Sequence, residues 1–159
     1  MRLPEALRKA ADAALGRESR AAPKQQVAAL PYRRRADGSI EVLLVTTRGT
    51  GQWMVPKGWP MPGKSWPEAA AQEAWEEAGV RGEASTRELG RFPHEKTNWL
   101  TGSLDCIVAV FPLAVAEELA RWPERGERSR SWFGLAEAAA KVQSRDLAGI
   151  IAAAGDKLQ

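Results

Sequence analysis

Residues 25–47 read QQVAALPYRRRADGSIEVLLVTT, two apolar runs of strand length separated by charged and turn-forming residues. The runs predict strands over 25–32 and 39–47, and Asp37-Gly38 supplies the positive φ that a tight hairpin needs. WMVP (53–56) predicts a brief buried strand, followed by a Gly/Pro-rich loop, KGWPMPGK, over 57–64. Two short strands are expected within 82–92 and a stronger one in SLDCIVAVFPL (103–113), with a polar loop carrying His94, Glu95, Lys96 and Asn98 between them. Further on, a short strand at SWF (131–133) precedes helices around 135–142 and 146–157, the last with Asp146 as its N-cap. At the start of the chain, Leu3, Leu7, Ala10, Ala14 and Leu15 fall near helical spacing. They predict an amphipathic helix over 4–15, stopped at Gly16, within an N-terminal extension of residues 1–20.

The segment SWPEAAAQEAWEEAGV (65–80) predicts a helix with well-marked ends. Ser65 and Glu68 form an S-x-x-E capping box, Pro67 suits the first turn, and Gly79 suits the stop. Ala71, Ala74 and Ala78 share one side, fit for close packing on a sheet, while Glu73, Glu76 and Glu77 share another. Like charges three and four apart destabilise a helix by a few tenths of a kcal/mol. Of the positions four residues away, only Arg81 could compensate, and it lies past the helix end. One reading is a solvated acidic stripe. The other is a hard divalent cation, Mg²⁺ or Mn²⁺, which takes a few carboxylates together with water and substrate phosphate. The preceding loop favours the cation, because Gly58 and Gly63 let backbone approach a ligand while Lys57 and Lys64 offer charge to phosphate.

The element order is mixed, without regular βαβ alternation, and neither a GxGxxG nor a P-loop pattern is present. This predicts an α+β fold in which helices layer on a mixed β-sheet, as one domain over residues 1–159. With 44% apolar and 27% charged residues, the composition is that of a globular protein. The chain has no run of 18 apolar residues and no secretory h-region, which argues against a membrane partner and against secretion. The single Cys106 lies inside CIVAVF and reads as a core residue in a reducing, cytoplasmic setting. Net charge is only +3, but arginines cluster in YRRR (32–35) and RWPERGERSR (121–130); nucleic acid, a polyphosphate or plain solubility could each explain that, nucleic acid being the less expected partner. Acids interleave the second cluster, which reads as a solvated face. Among the seven tryptophans, Trp53 and Trp132 read as core, Trp66 as a staple at the helix start, and Trp75 as packed under a neighbouring loop. Trp59 and Trp99 fall in loops near the glutamates.

Gly58, Glu73, Ala74, Glu76, Glu77, Gly79 and Val80 stand in the register of G-x5-E-x7-R-E-U-x-E-E-x-G-U, where U is bulky and apolar. The chain therefore resembles the Nudix hydrolase family. VAALPYRR, EVLLVTTRGTGQWMVPKGWP and VAVFPLAV…WPE extend the resemblance to the branch that includes diphosphoinositol polyphosphate phosphohydrolases. The resemblance implies a Nudix-type α/β/α sandwich and metal-dependent hydrolysis of a diphosphate linked to some moiety X. It makes Glu73, Glu76 and Glu77 the catalytic metal ligands for Mg²⁺ or Mn²⁺, with Glu77 or Glu76 doubling as general base. Lys24, Arg33, Arg48, Lys57, Gly58, Lys64 and Lys96 become candidates for binding a polyphosphorylated small molecule, with Arg20 beside them and His94 a weaker one. Related enzymes include monomers and dimers, so a homodimer stays open. Two positions depart from the pattern: Lys64 replaces its first Glu and Gln72 its Arg. They keep a weakly active or non-catalytic phospholigand binder in view, beside hydrolysis of nucleotides or RNA 5′ ends.

Overall fold

The unbroken apolar run in VAALPY has a structural cause: its strand is covered on both faces. In the computed structural model, which describes residues 4–7, 22–98, 100 and 102–158, β1 (Lys24–Arg34) runs through the middle of a mixed sheet. It pairs antiparallel with β2 (Ile40–Thr46) through the predicted hairpin and parallel with β7 (Gly102–Glu118) over Lys24–Tyr32. Gly38 makes the turn at φ 87°. β3 (Trp53–Met54) and β8 (Arg130–Gly134) pair with β2, while β4 (Lys57–Gly58) adds to β1. β5 (Val80–Ala84) and β6 (Gly90–Asn98) both pair with β7. Among the described residues the sheet has eight strands.

Neighbouring residues of β1 face opposite layers, as the strand period requires. Val27 and Ala29, with Leu43, Val45 and Phe111, meet α1 (Trp66–Glu73). Ala28 and Leu30, with Val42, Leu44 and Val110, meet α2 (Leu135–Lys141) and α3 (Arg145–Ala152). The result is the α/β/α sandwich of the α+β class. Large side chains fill the α2/α3 side, where Leu30, Leu44, Leu147 and Ile151 are fully buried, each worth about 1.5–3 kcal/mol. The α1 side is built differently. Its contact face is Ala69, Ala70, Ala74 and Ala78, all buried, with Ala71 only half-buried at the margin. Small residues there bring the helix backbone close to the sheet, and the glutamates with it.

Several elements depart from expectation for local reasons. His94–Asn98 is not a loop, because β6 continues through Asn98 in register with β7. Beyond buried Phe92 this edge strand leaves the core, so the apolar alternation that marks a strand disappears, and an edge position tolerates Pro93. The loop expected over 57–64 opens with β4. Ser144, rather than Asp146, caps α3: Ser144 Oγ accepts from the Leu147 N–H at 3.1 Å. Asp146 sits in the first turn, where a carboxylate favours the helix dipole. That helix stops at Ala152, and a 3₁₀ turn (Ala154–Lys157) follows. Residues 5–7 are helical; the rest of the predicted N-terminal helix, Arg20 and Trp99 lie outside the described residues. No helix among the described residues is long and apolar enough to cross a membrane.

Candidate active site

The capping box fixes where α1 begins. Ser65 Oγ accepts from the Glu68 N–H at 3.3 Å, and Glu68 Oε1 accepts from the Ser65 N–H at 3.0 Å. After Glu73 the helix widens into a π-helical turn (Ala74–Ala78), and Gly79 ends it at φ 65°. The segment 119–129 and Arg130 at the start of β8 clasp this end and satisfy its carbonyls. The Glu124 N–H donates to Glu76 O at 3.0 Å, and Arg130 Nη1 donates to Ala78 O at 2.9 Å. A cation at a helix C-terminus is also favoured by the dipole. Through this clasp, residues far along the chain meet the glutamates.

The three glutamates occupy different surroundings. Glu77 points inward and is 6% exposed; its Oε1 accepts from the Lys57 N–H at 3.3 Å. Glu73 folds over Gly58, where an added Cβ would fall within 2.7 Å of its carboxylate. Burial, then the charges of Glu77 and Glu76, push the Glu73 carboxyl up to about 8. Burial likewise pushes Glu77 up to about 7, against the lowering pull of the Arg128 guanidinium. Glu76 instead turns to the helix surface, where its Oε1 accepts from Gln72 Nε2 at 3.1 Å.

Glu73 and Glu77 form the floor of a cleft of about 570 Å³, whose lining includes Lys57, Gly58, Arg48, Lys96, Glu124 and Arg128. Lys57 Nζ donates to Gln26 Oε1 at 3.4 Å, and burial lowers its pKa. His94 also lines the cleft; burial, then Lys57 and Lys96, hold its pKa down at about 4. Trp59 is 39% exposed at the edge, with Lys96 Nζ 5.2 Å from its ring centroid. The donor set suits a hard divalent cation, since two carboxylates line the same cleft and one of them, Glu73, lies over a glycine whose missing Cβ leaves it room. Among the described residues no three His, Cys, Asp or Glu side chains already converge on one point.

Of the candidate binding residues, Arg48, Lys57, Gly58 and Lys96 line this cleft. Lys64 does not; with Gln72, Trp75 and Arg81 it borders a separate hollow of about 520 Å³. Lys24 is exposed at the start of β1. Arg33 is engaged elsewhere: its Nε donates to Glu41 Oε1 at 3.1 Å, and its guanidinium lies 4.1 Å from the Trp132 ring centroid. Arg48 carries partners already, Glu127 Oε1 at 3.4 Å and Glu124 Oε1 at 3.9 Å. The sequence reading passed over Gln26, Glu124 and Arg128. The last two lie in the cluster taken for a solvated face, and their spacing of four was the available signal.

The site thus joins a glutamate-bearing helix to a cleft lined by charges of both signs, and comparison with known proteins says what such an arrangement belongs to. The chain belongs to the Nudix family, the NUDIX domain model matching residues 23–153. It is 38% identical over 127 residues to Nudix hydrolase 21, chloroplastic, of Arabidopsis thaliana, covering 78% of this chain and 62% of that protein. To diphosphoinositol polyphosphate phosphohydrolase 2 of Rattus norvegicus it is 35% identical over 123 residues, covering 76% and 63% respectively. The chain thus spans less than two thirds of the length of either relative. A NUDIX hydrolase from Nitrosomonas europaea shares the fold, with TM-score 0.61 and 23% identity over 87% of this chain and 97% of that one.

Proposed function

We propose that the cleft hydrolyses a phosphoanhydride in a polyphosphorylated small molecule, using Mg²⁺ or Mn²⁺ held by Glu73 and Glu77. Glu76 would join them once its carboxylate leaves Gln72. The observation that carries this reading is the acid pair itself: Glu77 buried and Glu73 folded over Gly58, both lining a cleft edged by Arg48, Lys57 and Lys96. Nudix hydrolases generally use divalent metals, which agrees with it. A bound cation supplies neutralisation of the diphosphate oxygens and a more acidic water. The chain's own groups do the rest. Lys57, with little freedom in its half-buried position, holds a phosphate oxygen, while Arg48 and Lys96 take charge nearer the mouth. Glu77 or Glu76 accepts the proton of the water attacking in line with the departing phosphate.

Two observations bear on the choice of substrate. Four cations line the cleft (Arg48, Lys57, Lys96, Arg128) and face four carboxylates (Glu73, Glu77, Glu95, Glu124). That balance supports a short diphosphate link, as in a nucleoside diphosphate derivative, over a densely phosphorylated inositol. Gln72 and Lys64, the departures that raised the non-catalytic alternative, border the other hollow, which supports the catalytic reading. The test incubates the protein with Mg²⁺ and a panel: a dinucleoside polyphosphate, ADP-ribose, a nucleoside triphosphate, a diphosphoinositol polyphosphate and a 5′-triphosphate RNA. Products are separated by ion-exchange chromatography. Cleavage of a nucleoside diphosphate derivative is expected. Tight binding of a panel member with no cleavage of any would replace the hydrolase by a phospholigand binder.

A further inference from the structure

The acid pair, Glu77 buried and Glu73 partly so, lies on a helix that carries no arginine, yet it is not without a guanidinium. Arg128 reaches it from the clasping segment, with a side chain only 11% exposed. Its Nη2 lies 3.6 Å from Glu77 Oε2, an ion pair longer than a hydrogen bond. Its Nε donates to Glu124 Oε1 at 2.9 Å, and its Nη1 donates to Thr46 O at 3.2 Å. All three nitrogens therefore have partners on three different segments. The backbone around the side chain is pinned as well, since the Ser129 N–H donates to Thr46 Oγ1 at 2.8 Å and the Thr46 N–H to Ser129 O at 3.0 Å. Such a side chain has lost its rotamer freedom before any ligand arrives.

We propose that Arg128 is the positioning residue of the acid pair, supplying from the 119–129 segment the guanidinium that position 72 lacks and holding Glu77 against the Lys57 backbone. Gln72 does not take this part, because its amide is spent on Glu76 and its side chain borders the outer hollow. Among the described residues, Arg128 makes the one ion pair to either Glu73 or Glu77. The geometry also accounts for the fork. A buried carboxylate left without a compensating charge is strongly destabilising, and a lysine would offer a point charge where three separate acceptors must be met at fixed angles. Glu124 then has a definite part: it orients the guanidinium, and Arg48 at the mouth extends the same alternating chain of charge, Glu77–Arg128–Glu124–Arg48.

This rests on the reading of Glu73 and Glu77 as the cation-holding pair, and the test keeps the two claims apart. Mn²⁺ binding to the full chain is titrated by the electron paramagnetic resonance of free Mn²⁺, which needs no turnover, beside kcat, KM and the thermal midpoint. In Arg128→Gln, Mn²⁺ affinity and kcat should each fall on the order of 10–100-fold, the size typical for removing a group that orients a metal ligand. KM for the substrate should move little, and added guanidinium ion, at concentrations too low to denature, should restore part of the loss. Should Arg128→Gln fail to fold, Arg128→Lys carries the test: it keeps the charge without the fork and must show the same fall in Mn²⁺ affinity. Unchanged affinity and kcat in the Arg128 variants, beside a parent that binds Mn²⁺, overturn this proposal alone. A parent that binds no Mn²⁺ overturns the reading of the acid pair with it.

Discussion

Replacing Gly58 by alanine should disable the site while leaving the fold nearly untouched, and the size of each effect follows from what the new methyl meets. An added Cβ would stand 2.7 Å from Glu73 Oε2 and closer still to Cδ and Oε1. Comfortable separation of heavy atoms is about 3.5–4.0 Å, so the carboxyl must retreat by roughly 1 Å. It is the end of a flexible side chain, and moving it off its preferred torsions costs about 0.5–1.5 kcal/mol. For a chain of this length that is a fall in thermal midpoint of roughly 2–4 °C per kcal/mol. Displacing a catalytic group by about 1 Å costs on the order of a hundredfold in rate. Gly82→Ala is the internal control. There the Cβ would meet the carbonyl of Ala114 in β7, with the carbonyl carbon 2.8 Å away, and backbone in mid-sheet cannot step aside. Its stability cost should reach or exceed the top of the range of about 1–3 kcal/mol for overpacking, with turnover per folded molecule unchanged. The pair is compared by urea unfolding and by turnover corrected for the folded fraction. If Gly58→Ala keeps its activity, or loses it only in proportion to stability as Gly82→Ala does, the carboxylate of Glu73 is not part of the machinery.

Glu77→Gln should abolish turnover yet fold normally, since a glutamine carbonyl can still accept from the Lys57 N–H; full activity in that variant would remove Glu77 from the site. Ser65→Ala breaks the capping box and should cost about 1 kcal/mol in urea unfolding, with a cost near zero showing that the clasp at the other end alone holds α1. His94 is the one histidine of the sequence, so its imidazole resonances are unambiguous in NMR. They should titrate with a midpoint of about 4, because burial, then Lys57 and Lys96, disfavour the cation. The folded value lies below the ordinary 6.5, so His94 stabilises the fold above that pH, and the contribution is lost as pH falls from there through about 4. A midpoint near the ordinary value would mean that the imidazole stands free of the cleft and its two lysines.

The fold was legible wherever burial imposed a period. VAALPY reads as a strand, its unbroken apolar run having its cause in the layers that the structure puts on both faces, and the alanines of α1 read as a close-packing face, because both patterns answer directly to neighbours. Legibility failed where an element outruns the core. Past Phe92, the last fully buried side chain of β6, only His94 is half-buried and Glu95, Lys96 and Thr97 are exposed, so no apolar alternation marks the strand and its sequence resembles a loop. The helix caps divide in the same way. Ser65 and Glu68 make a reciprocal pair with a fixed spacing, whereas Ser144 and Asp146 are equally good cap residues two positions apart, and only the backbone at residue 144 decides between them. The α1 side chains were offset as well. An ideal helix groups Ala71 with Ala74 and Ala78, but the packed face is centred nearer Ala70, and the π-helical turn alters the spacing just where the glutamates stand.

The site was half legible for a related reason. A helix is local, so Glu73, Glu76 and Glu77 announce their crowding in the sequence; what they crowd against does not. Only the structure separates them, sending Glu77 inward to Lys57 and Glu76 outward to Gln72. Basic residues were harder, because a surface arginine and a buried one look alike along the chain. Arg33, beside an apolar strand, is bound to Glu41 and Trp132, away from the cleft. Arg128, in the most charged stretch of the chain, has a side chain only 11% exposed. Interleaved acids were the reason to dismiss RWPERGERSR as a solvated face. Those acids are instead what allows an arginine to be buried there, since a guanidinium withdrawn from water needs carboxylates within reach. Alternating charge beside Gly and Pro in a loop therefore carries two meanings, a solvated surface or a folded ion-pair chain, and the deciding fact is whether that loop returns to a helix end whose carbonyls need partners.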